Sequence, residues 1–269
     1  MTLRSLSFWF GASIVGFFLV IAVIGPWIAP YGESEAAGDV WLPFSHEFLL
    51  GTDSLGRDVL SRLLYGTRTT ISIALIATLL SFAIGMTLGF TAAVMGGFVD
   101  QIISRAVDVL MSIPMLIFAL VVLALLPSSA VILILVMAIL DSTRVFRLAR
   151  ALALDIAVMD YVEAARLRGE GLGWVMRREV LPNALPPLIS EFGLRFCFII
   201  LFLSAVSFLG VGVQPPQADW GGMVRENANA IGFGLVLPLI PAGAIFALTI
   251  AVNLLVDWQL SRSGLKRVR

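Results

Sequence analysis

Cysteine and histidine are almost absent from this 269-residue sequence, which has one residue of each. The single cysteine, Cys197, excludes an internal disulfide and any cysteine-based metal cluster. It lies inside an apolar run, so we predict that it is a packing residue. With one histidine, His46, and no glycine-rich phosphate loop, the sequence shows no catalytic or metal-binding constellation.

Charged residues are also scarce. They make up 13% of the chain, against 59% hydrophobic residues, and this balance lies far outside the usage of soluble globular proteins. We therefore interpret the chain as an integral membrane protein. Its formal net charge is zero, so the informative feature is where the 18 basic residues lie.

Six apolar stretches predict membrane-spanning helices, since about 20 residues cross a hydrocarbon core of roughly 30 Å. The resulting fold is all-α, in one domain over residues 1–269. Gly85 and Gly89 predict close helix packing in the second span, Pro114 interrupts the third, and Pro238 and Pro241 kink the sixth. The predicted spans are residues 8–29, 70–94, 102–126, 130–143 (extending to 150), 188–211 and 231–258.

The basic residues predict the orientation of these spans. Six spans place both chain ends on one side, and 13 of the 18 Lys and Arg residues lie on that side. By the positive-inside rule both termini and residues 144–185 are cytoplasmic, and the acidic loop 31–68 is external. A cleaved signal peptide at residues 8–29 is disfavoured, because the stretch is long for one and lacks a clear small-x-small cleavage site. Seven of the cytoplasmic residues follow the fourth span: Arg144, Arg147, Arg150, Arg166, Arg168, Arg177 and Arg178.

The external loop contains a predicted short helix. Leucine and valine residues between Leu55 and Leu64 recur at helical spacing, Thr52 or Asp53 can cap the helix, and Asp58 and Arg62 form an i, i+4 pair. We expect an amphipathic helix along the membrane surface. An ordinary packed loop helix is the alternative that the sequence leaves open.

The longest polar segment between two apolar spans runs from Tyr161 to Gly169 and continues towards Leu181-Pro182. It carries helix-forming residues and then a glycine exit, but no catalytic set. Small Ala164 and Ala165 permit close approach to a partner surface, Glu163 and the arginines can orient that partner, and Gly169 lets the backbone turn. We predict a docking segment.

Several motifs in combination resemble those of the permease subunits of bacterial ABC importers. Within these importers the match is to the second permease of the dipeptide, oligopeptide and nickel family, and it covers nearly the whole chain. The combination of motifs is specific, whereas the triplet Glu163-Ala164-Ala165 alone is a weak signal. The motifs are Glu163-Ala164-Ala165 with Gly169 and Leu181-Pro182-Asn183-Ala184, Gly51-Thr52-Asp53-Ser54-Leu55-Gly56-Arg57-Asp58, Ser61-Arg62-Leu63-Leu64-Tyr65-Gly66-Thr67-Arg68, and Phe208-Leu209-Gly210-Val211-Gly212-Val213-Gln214-Pro215-Pro216 with Trp220-Gly221.

Two positions depart from the family pattern. The position ten residues after the glycine is hydrophobic in the family but is Glu179 here, with apolar Val180 beside it. Charged Arg168 and Glu170 also flank Gly169. The spacing of the motif is kept, so we expect the docking role to persist with altered partner contacts.

The resemblance implies an ABC importer type I permease fold in the bacterial inner membrane. A coupling helix at about residues 160–171, within a cytoplasmic coupling loop at 155–185, would sit in a cleft of a separate ATPase and convert its closure into movement of the spans. Implied partners are a homologous second permease, two ATPase subunits and a periplasmic substrate-binding protein, besides membrane lipid. ATP and magnesium would bind to the ATPase subunits and no cofactor to this chain, and no nucleic acid is expected.

Ionisable residues inside the spans are candidates for the transport pathway, because they are costly at membrane depth. Glu191 and Arg195 are four apart in the fifth span and can pair on one helix face. A structural pair or gate brace is one interpretation, and contact with a zwitterionic substrate is the other. Asp108 and Asp141 are placed near the cytoplasmic boundary, where water lowers the cost.

A different class of function is a stand-alone secondary transporter or channel that uses these intramembrane residues as an ion path. No inverted repeat relates residues 1–130 to residues 131–269, which disfavours it. The resemblance leaves the cargo open. Short peptides rank first, ahead of opines and sugars, and nickel is disfavoured because the predicted spans lack histidine and hold one cysteine.

Overall fold

The computed structural model describes residues 3–264, and every regular element among them is helical. Lys266, Arg267 and Arg269 of the basic tail lie outside the described residues. The α-helices are α1 (Leu3–Ile28), α2 (Val59–Met95), α3 (Gly97–Ser112), α4 (Met115–Leu125), α5 (Ala130–Ala157), α6 (Asp160–Leu167), α7 (Leu172–Val175), α8 (Leu181–Phe208), α9 (Trp220–Glu226) and α10 (Leu239–Gly264).

Four of these helices are long and apolar enough to cross a membrane, namely α1, α2, α10 and the continuous stretch that ends with α8. A fifth crossing results if α3 and α4 together count as one broken span. Helices thus occupy all six predicted positions. The all-α membrane fold is confirmed, with four to five apolar spans in the described part of the chain.

The predicted third span is not a single helix. It divides into α3 and α4, which are bent by 85° relative to each other around Pro114. At about 1.5 Å per residue, neither piece reaches across a 30 Å hydrocarbon core alone. The expected interruption by proline is therefore a sharp change of direction.

Helix α5 has 28 residues but is the most charged of the long helices. Its first half is apolar, and Asp141, Arg144, Arg147 and Arg150 follow in the second half. It begins at Ala130, as predicted for the fourth span, and extends to Ala157, beyond the predicted C-terminal limits of 143 and 150. The charges of this helix must meet partners or water within the membrane or at its boundary.

The most extensive contact between two helices of the described chain joins α2 to α5 through small residues. A Cβ atom at Gly85 would lie 2.6 Å from the Cβ atom of Val145, and one at Gly89 would lie 2.9 Å from that of Ala149. Such distances leave room only for glycine. The predicted packing role of this Gly-x-x-x-Gly pair is confirmed.

The two terminal helices run side by side. Near the start of α1, the ring of Phe8 lies 4.2 Å from that of Trp258, near the end of α10. Just beyond the opposite end of α1, the Tyr31 amide donates to Ser61 Oγ at the start of α2. Both terminal helices therefore have their free ends on the same side of the bundle.

The molecule has two distinct ends, which we name for their contents. The ion-network end comprises residues 29–62 and 209–238, and the coupling-loop end comprises residues 155–185. At the ion-network end, buried apolar residues cluster around Val59, Met223 and Leu237. At the coupling-loop end, they cluster around Val162, Val175 and Val180.

Two sequence predictions about helix starts were wrong. No separate surface helix spans residues 55–64, because α2 begins at Val59 and continues without a break, with Val59 buried. Pro238 and Pro241 do not kink the last span, because α10 begins only at Leu239. Pro241 then lies in the first turn, where its missing N–H has no helical partner to lose.

Candidate functional site: the coupling loop and the buried charge clusters

The coupling loop forms two short helices with a glycine turn between them. Helix α6 carries Asp160 and Glu163 in its first turn and Arg166 in its last turn, which matches the sign of the helix dipole at each end. The backbone of Gly169 adopts φ = +83°, and a Cβ atom added at this residue would meet no other atom within 4 Å. This glycine is required by backbone conformation and not by lack of space.

The docking residues predicted from the sequence differ in their exposure. Glu163, Ala164 and Gly169 are exposed. Ala165 is completely buried, so it packs into its own chain and presents no surface to a partner. Leu181 and Pro182 form the first turn of α8, where proline is well tolerated. The docking role of this set stays a prediction, and its exposed members are Glu163, Ala164, Gly169 and Pro182.

A π-helical turn over Met176–Val180 explains the unusual Glu179. A π turn adds one residue to a helical turn and therefore shifts the side chains that follow it. Val180 is completely buried among the apolar residues of α2, α5 and α8, whereas Glu179 stays partly exposed. The apolar contact expected one position earlier is thus made by Val180.

The basic residues of the coupling loop have no acidic partners in the part of the chain that the structure describes. Among residues 3–264, no ion pair involves Arg166, Arg168, Arg177 or Arg178, and all four are exposed. Beside α7 lies a hollow of about 580 Å³, lined by Gly173, Trp174, Met176, Arg177 and Arg178. This surface can receive an acidic or apolar projection from another protein.

The predicted intramembrane pair forms as expected, within a larger cluster. Arg195 Nε lies 2.7 Å from Glu191 Oε1, and Arg195 Nη1 lies 3.5 Å from Asp141 Oδ1. Ser81 Oγ of α2 donates to Asp141 Oδ2 at 2.8 Å. The cluster therefore connects α2, α5 and α8.

The expected position of Asp141 near water was wrong, because its side chain is completely buried against α2 and α8. Its oxygen Oδ1 has no hydrogen-bond donor, only the more distant guanidinium of Arg195. Asp108 is different: its side chain is 57% exposed and lies 2.8 Å from the exposed Arg147. The structure places Asp108 apart from the cluster of Asp141, Glu191 and Arg195.

The ion-network end contains a second charge cluster, which sequence reasoning missed. Asp53 pairs with Arg57 at 2.7 Å and with Arg62 at 2.6 Å. Glu226, at the end of α9, pairs with Arg57 at 2.6 Å and also with Arg62. The predicted pair of Asp58 with Arg62 does not form, because Asp58 instead caps α2 and accepts from Ser61.

The i, i+4 spacing of Asp53 and Arg57 could have indicated one pair of this network. Nothing local indicates Glu226, which is 164 residues away from Arg62. Burial acts to raise the pKa of Asp53, but the N–H groups of Leu55 and Arg57 and the guanidinium of Arg62 outweigh it, so that the pKa lies below its usual value. Asp53 is therefore held as an anion.

Asp219 is buried at the same end and caps α9 by accepting from the N–H groups of Gly221 and Gly222. Burial is the largest influence on this carboxyl and raises its pKa to about 6. The nearby Thr70 hydroxyl accepts from the backbone N–H of Trp220 at 3.1 Å. This contact attaches the start of α9 to the first third of α2.

Comparison with known proteins identifies the family. Residues 85–263 match the family described as "Binding-protein-dependent transport system inner membrane component". The chain belongs to this family of permeases. It is therefore a multi-pass inner membrane protein and a transport subunit, which works in a membrane complex with an ATPase and a binding protein.

Several relatives are similar along most of the permease chain. The dipeptide transport system permease protein DppC of Haemophilus influenzae is 35% identical over 245 residues, 88% of this chain and 83% of that protein. The di/tripeptide permease DppC of Pseudomonas aeruginosa is 36% identical over 243 residues, 88% and 80% of the two chains. The glutathione permease GsiD of Pectobacterium atrosepticum is 35% identical over 208 residues, 77% and 69% of the two chains.

A solved structure supports the permease fold. A chain in the crystal structure of an amino acid ABC transporter with histidines aligns with a TM-score of 0.56 at 20% identity, over 75% of this permease and 94% of that chain. The family match begins at Gly85, inside α2, and includes the coupling loop and the Asp141 cluster. It leaves out α1 and the loop that holds Asp53 and Arg57.

Proposed function

We propose that this permease forms half of the translocation pathway of an ATP-driven importer of short peptides. The observation that supports this most is the exposure of the coupling loop. Glu163 and the four arginines are exposed and have no ionic partner among the described residues, and Ala164 beside them is exposed too. Exposed charges of this kind on two short, well-packed helices suit docking to another protein. Peptide cargo is supported by the names of the dipeptide, di/tripeptide and glutathione relatives.

In this proposal the coupling loop is cytoplasmic and contacts one of two ATPase subunits, which bind ATP and magnesium. A homologous second permease supplies the other half of the pathway. A periplasmic binding protein delivers cargo to the ion-network end. The free ends of α1 and α10 lie at the end opposite to the ion network, so both termini are cytoplasmic.

The orientation is tested by cysteine labelling in intact cells. The native cysteine is first removed by Cys197→Ser. Leu55→Cys and Leu167→Cys then each introduce a thiol at an exposed position, since Leu55 is 62% exposed and Leu167 is 83% exposed. A membrane-impermeant maleimide should label position 55 directly and position 167 only after permeabilisation. The reverse pattern would overturn the proposed orientation.

The proposed function is tested by tagged purification from native membranes in mild detergent. We expect an ATPase and a second permease to accompany the wild-type chain. Glu163→Arg reverses an exposed charge and Gly169→Trp places a large side chain at a turn with positive φ, so both should lose the ATPase or uncouple it. A chain that purifies alone and transports in vesicles without ATP would contradict the proposal and would point to ion-coupled transport.

A further inference from the structure

Two arginines from different helices approach the same aromatic ring at membrane depth. The Cζ atom of Arg144, on α5, lies 4.4 Å from the centroid of the Phe198 ring on α8. The Cζ atom of Arg195, also on α8, lies 5.4 Å from this centroid. Both distances are within the range of a cation–π interaction. Phe198 therefore draws two positive charges into one small region.

The two guanidinium groups differ in their acidic partners. Arg195 is neutralised by Glu191 and Asp141. Arg144 is half-buried and forms no ion pair with any residue between 3 and 264. Asp141, three residues earlier on α5, attracts Arg144 electrostatically, but the contacts of its carboxylate are made with Ser81 and Arg195. Arg144 therefore has no carboxylate hydrogen-bonded to it, and an anion from outside the chain can supply one.

A cavity adjoins this arginine. Arg144 and Thr143 line a space of about 250 Å³ at the bend between α3 and α4, together with Pro114 and apolar residues of both helices. Arg144 is 14 residues from the start of α5 at Ala130. At 1.5 Å per residue this places it about 21 Å along the helix, which is less than the roughly 30 Å thickness of a hydrocarbon core. Measured from Ala130, Arg144 and the cavity thus lie in the part of the span that is nearer to the coupling loop.

The formal charges of the cluster cancel. Arg144 and Arg195 carry positive charge, and Asp141 and Glu191 carry negative charge. The cluster has no net charge, but its positive and negative groups lie at different positions, so it is complementary to a zwitterionic cargo. It binds such a cargo less tightly than a site whose charges all have the same sign would bind an ion of opposite charge. This suits a pathway, where binding must allow both entry and release.

We propose that Arg144 binds the free carboxylate of the peptide cargo as it passes the bend between α3 and α4. The inference rests on the proposed function, whose cargo class it narrows to peptides with a free carboxyl terminus. Arg195 does not take this role, because Glu191 and Asp141 hold its guanidinium. It positions the ring of Phe198 and balances the buried Asp141.

The test uses the complete transporter, with its ATPases and binding protein, reconstituted in vesicles. Import is measured for a peptide and for its carboxyl-terminal amide, each at a concentration that saturates the binding protein, as checked by titration. At saturation, a difference between the two import rates reflects steps that follow delivery of the cargo by the binding protein. In wild type the acid should enter faster than the amide, and in Arg144→Gln this ratio should fall about tenfold, since a charge-assisted contact is lost.

Matched variants keep the test specific. Arg144→Lys retains the charge and should retain most of the preference. Arg147→Gln removes a neighbouring but exposed arginine of the same helix and should leave the ratio unchanged. Copurification of the ATPase and ATP hydrolysis stimulated by the binding protein report assembly, and both should be as in wild type for all three variants.

The outcomes separate this inference from the proposed function. In one outcome the wild-type complex hydrolyses ATP and imports both cargoes, and Arg144→Gln has the same ratio of acid to amide import rates as wild type. This result overturns the inference about Arg144 and leaves the proposed function standing. Equal loss of both cargoes, restored by changing the phosphatidylglycerol content of the vesicles, assigns Arg144 to a lipid phosphate and also overturns it. Absence of ATP-dependent import by the wild-type complex overturns the proposed function and the inference with it.

Discussion

The two ends of this permease differ in whether their arginines are buried and paired. At the ion-network end, Asp53, Arg57 and Arg62 are each at most 4% exposed and pair with one another and with Glu226. At the coupling-loop end, Arg166, Arg168, Arg177 and Arg178 are exposed and have no acidic partner in the described chain. The buried network at one end satisfies its charges internally, and the four arginines at the other end remain available to a partner.

This difference has an energetic consequence. A buried charge that loses its partner is left in a medium that solvates it poorly, whereas an exposed charge remains hydrated. Substitutions at the ion-network end should therefore act mainly on the stability of the fold. Substitutions at the coupling loop should act mainly on transport, with little change in stability.

The largest effect is expected for Arg62→Ala. This change removes one of the two guanidinium groups that contact both Asp53 and Glu226, and leaves them only Arg57. It should lower the free energy of unfolding by about 3 kcal/mol. Thermal unfolding in detergent measures it. Arg147→Ala, which breaks an exposed pair with Asp108, is the control and should cost at most about 1 kcal/mol. Equal losses in the two variants would remove the distinction between buried and exposed pairs.

Asp219 predicts a pH dependence at the ion-network end. Its pKa in the folded chain is about 6, above the usual 3.8, so the folded state binds this proton more tightly than the unfolded state does. The contribution of Asp219 to stability should thus increase, on the order of 2 kcal/mol, as the pH falls from 7 towards 4. Unfolding midpoints over this range measure it.

The matched variant for this pH dependence is Asp219→Asn, whose side-chain oxygen can still accept from Gly221 and Gly222. It should weaken the rise in stability on acidification, because the amide does not titrate. A pH profile identical to that of wild type would show that Asp219 does not titrate in this range.

A smaller effect is expected at the turn of the coupling loop. Gly169→Ala forces an alanine into φ = +83° and should cost about 1–2 kcal/mol locally. Hydrogen exchange of residues 160–175 should show faster opening. Gly173→Ala is the control, because Gly173 lies in α7 with open space around it and has no positive φ. If both variants open the loop equally, backbone conformation at Gly169 is not the cause.

The smallest effect on stability, within about 0.5 kcal/mol, is expected for the double change Arg177→Gln with Arg178→Gln, because both side chains are exposed. The same variant should reduce import driven by ATP hydrolysis, measured in reconstituted vesicles. Normal import with a large loss of stability would reverse the contrast between the two ends.

Local features of the sequence predicted much of this structure. Hydrophobic runs located the helices, Gly85 and Gly89 indicated the contact between α2 and α5, and the spacing of Glu191 and Arg195 predicted their pair. These features succeed because helix geometry fixes which residues i and i+4 share a face. The exposed turn at Gly169 was predicted from the freedom of glycine to adopt a positive φ.

The predictions that failed depend on contacts distant in sequence. Asp58 and Arg62 have the spacing of a pair, but Asp53 and Glu226 bind Arg62 instead. Asp141 was expected near water, and it is buried because Ser81 and Arg195 are provided by two other helices. Ala165 was expected on the docking surface, but the packing of α6 turns it inwards. A pattern in one helix does not reveal which neighbour covers each of its faces.

The most direct test of the contrast between the two ends is site-specific photo-crosslinking in the assembled transporter. A benzoyl-phenylalanine is placed at exposed Glu163 in one variant and at exposed Leu55 in another. We predict a crosslink to the ATPase from position 163 and none to the ATPase from position 55. A crosslink to the ATPase from position 55, or its absence from position 163, would contradict the assignment of the coupling loop as the docking surface.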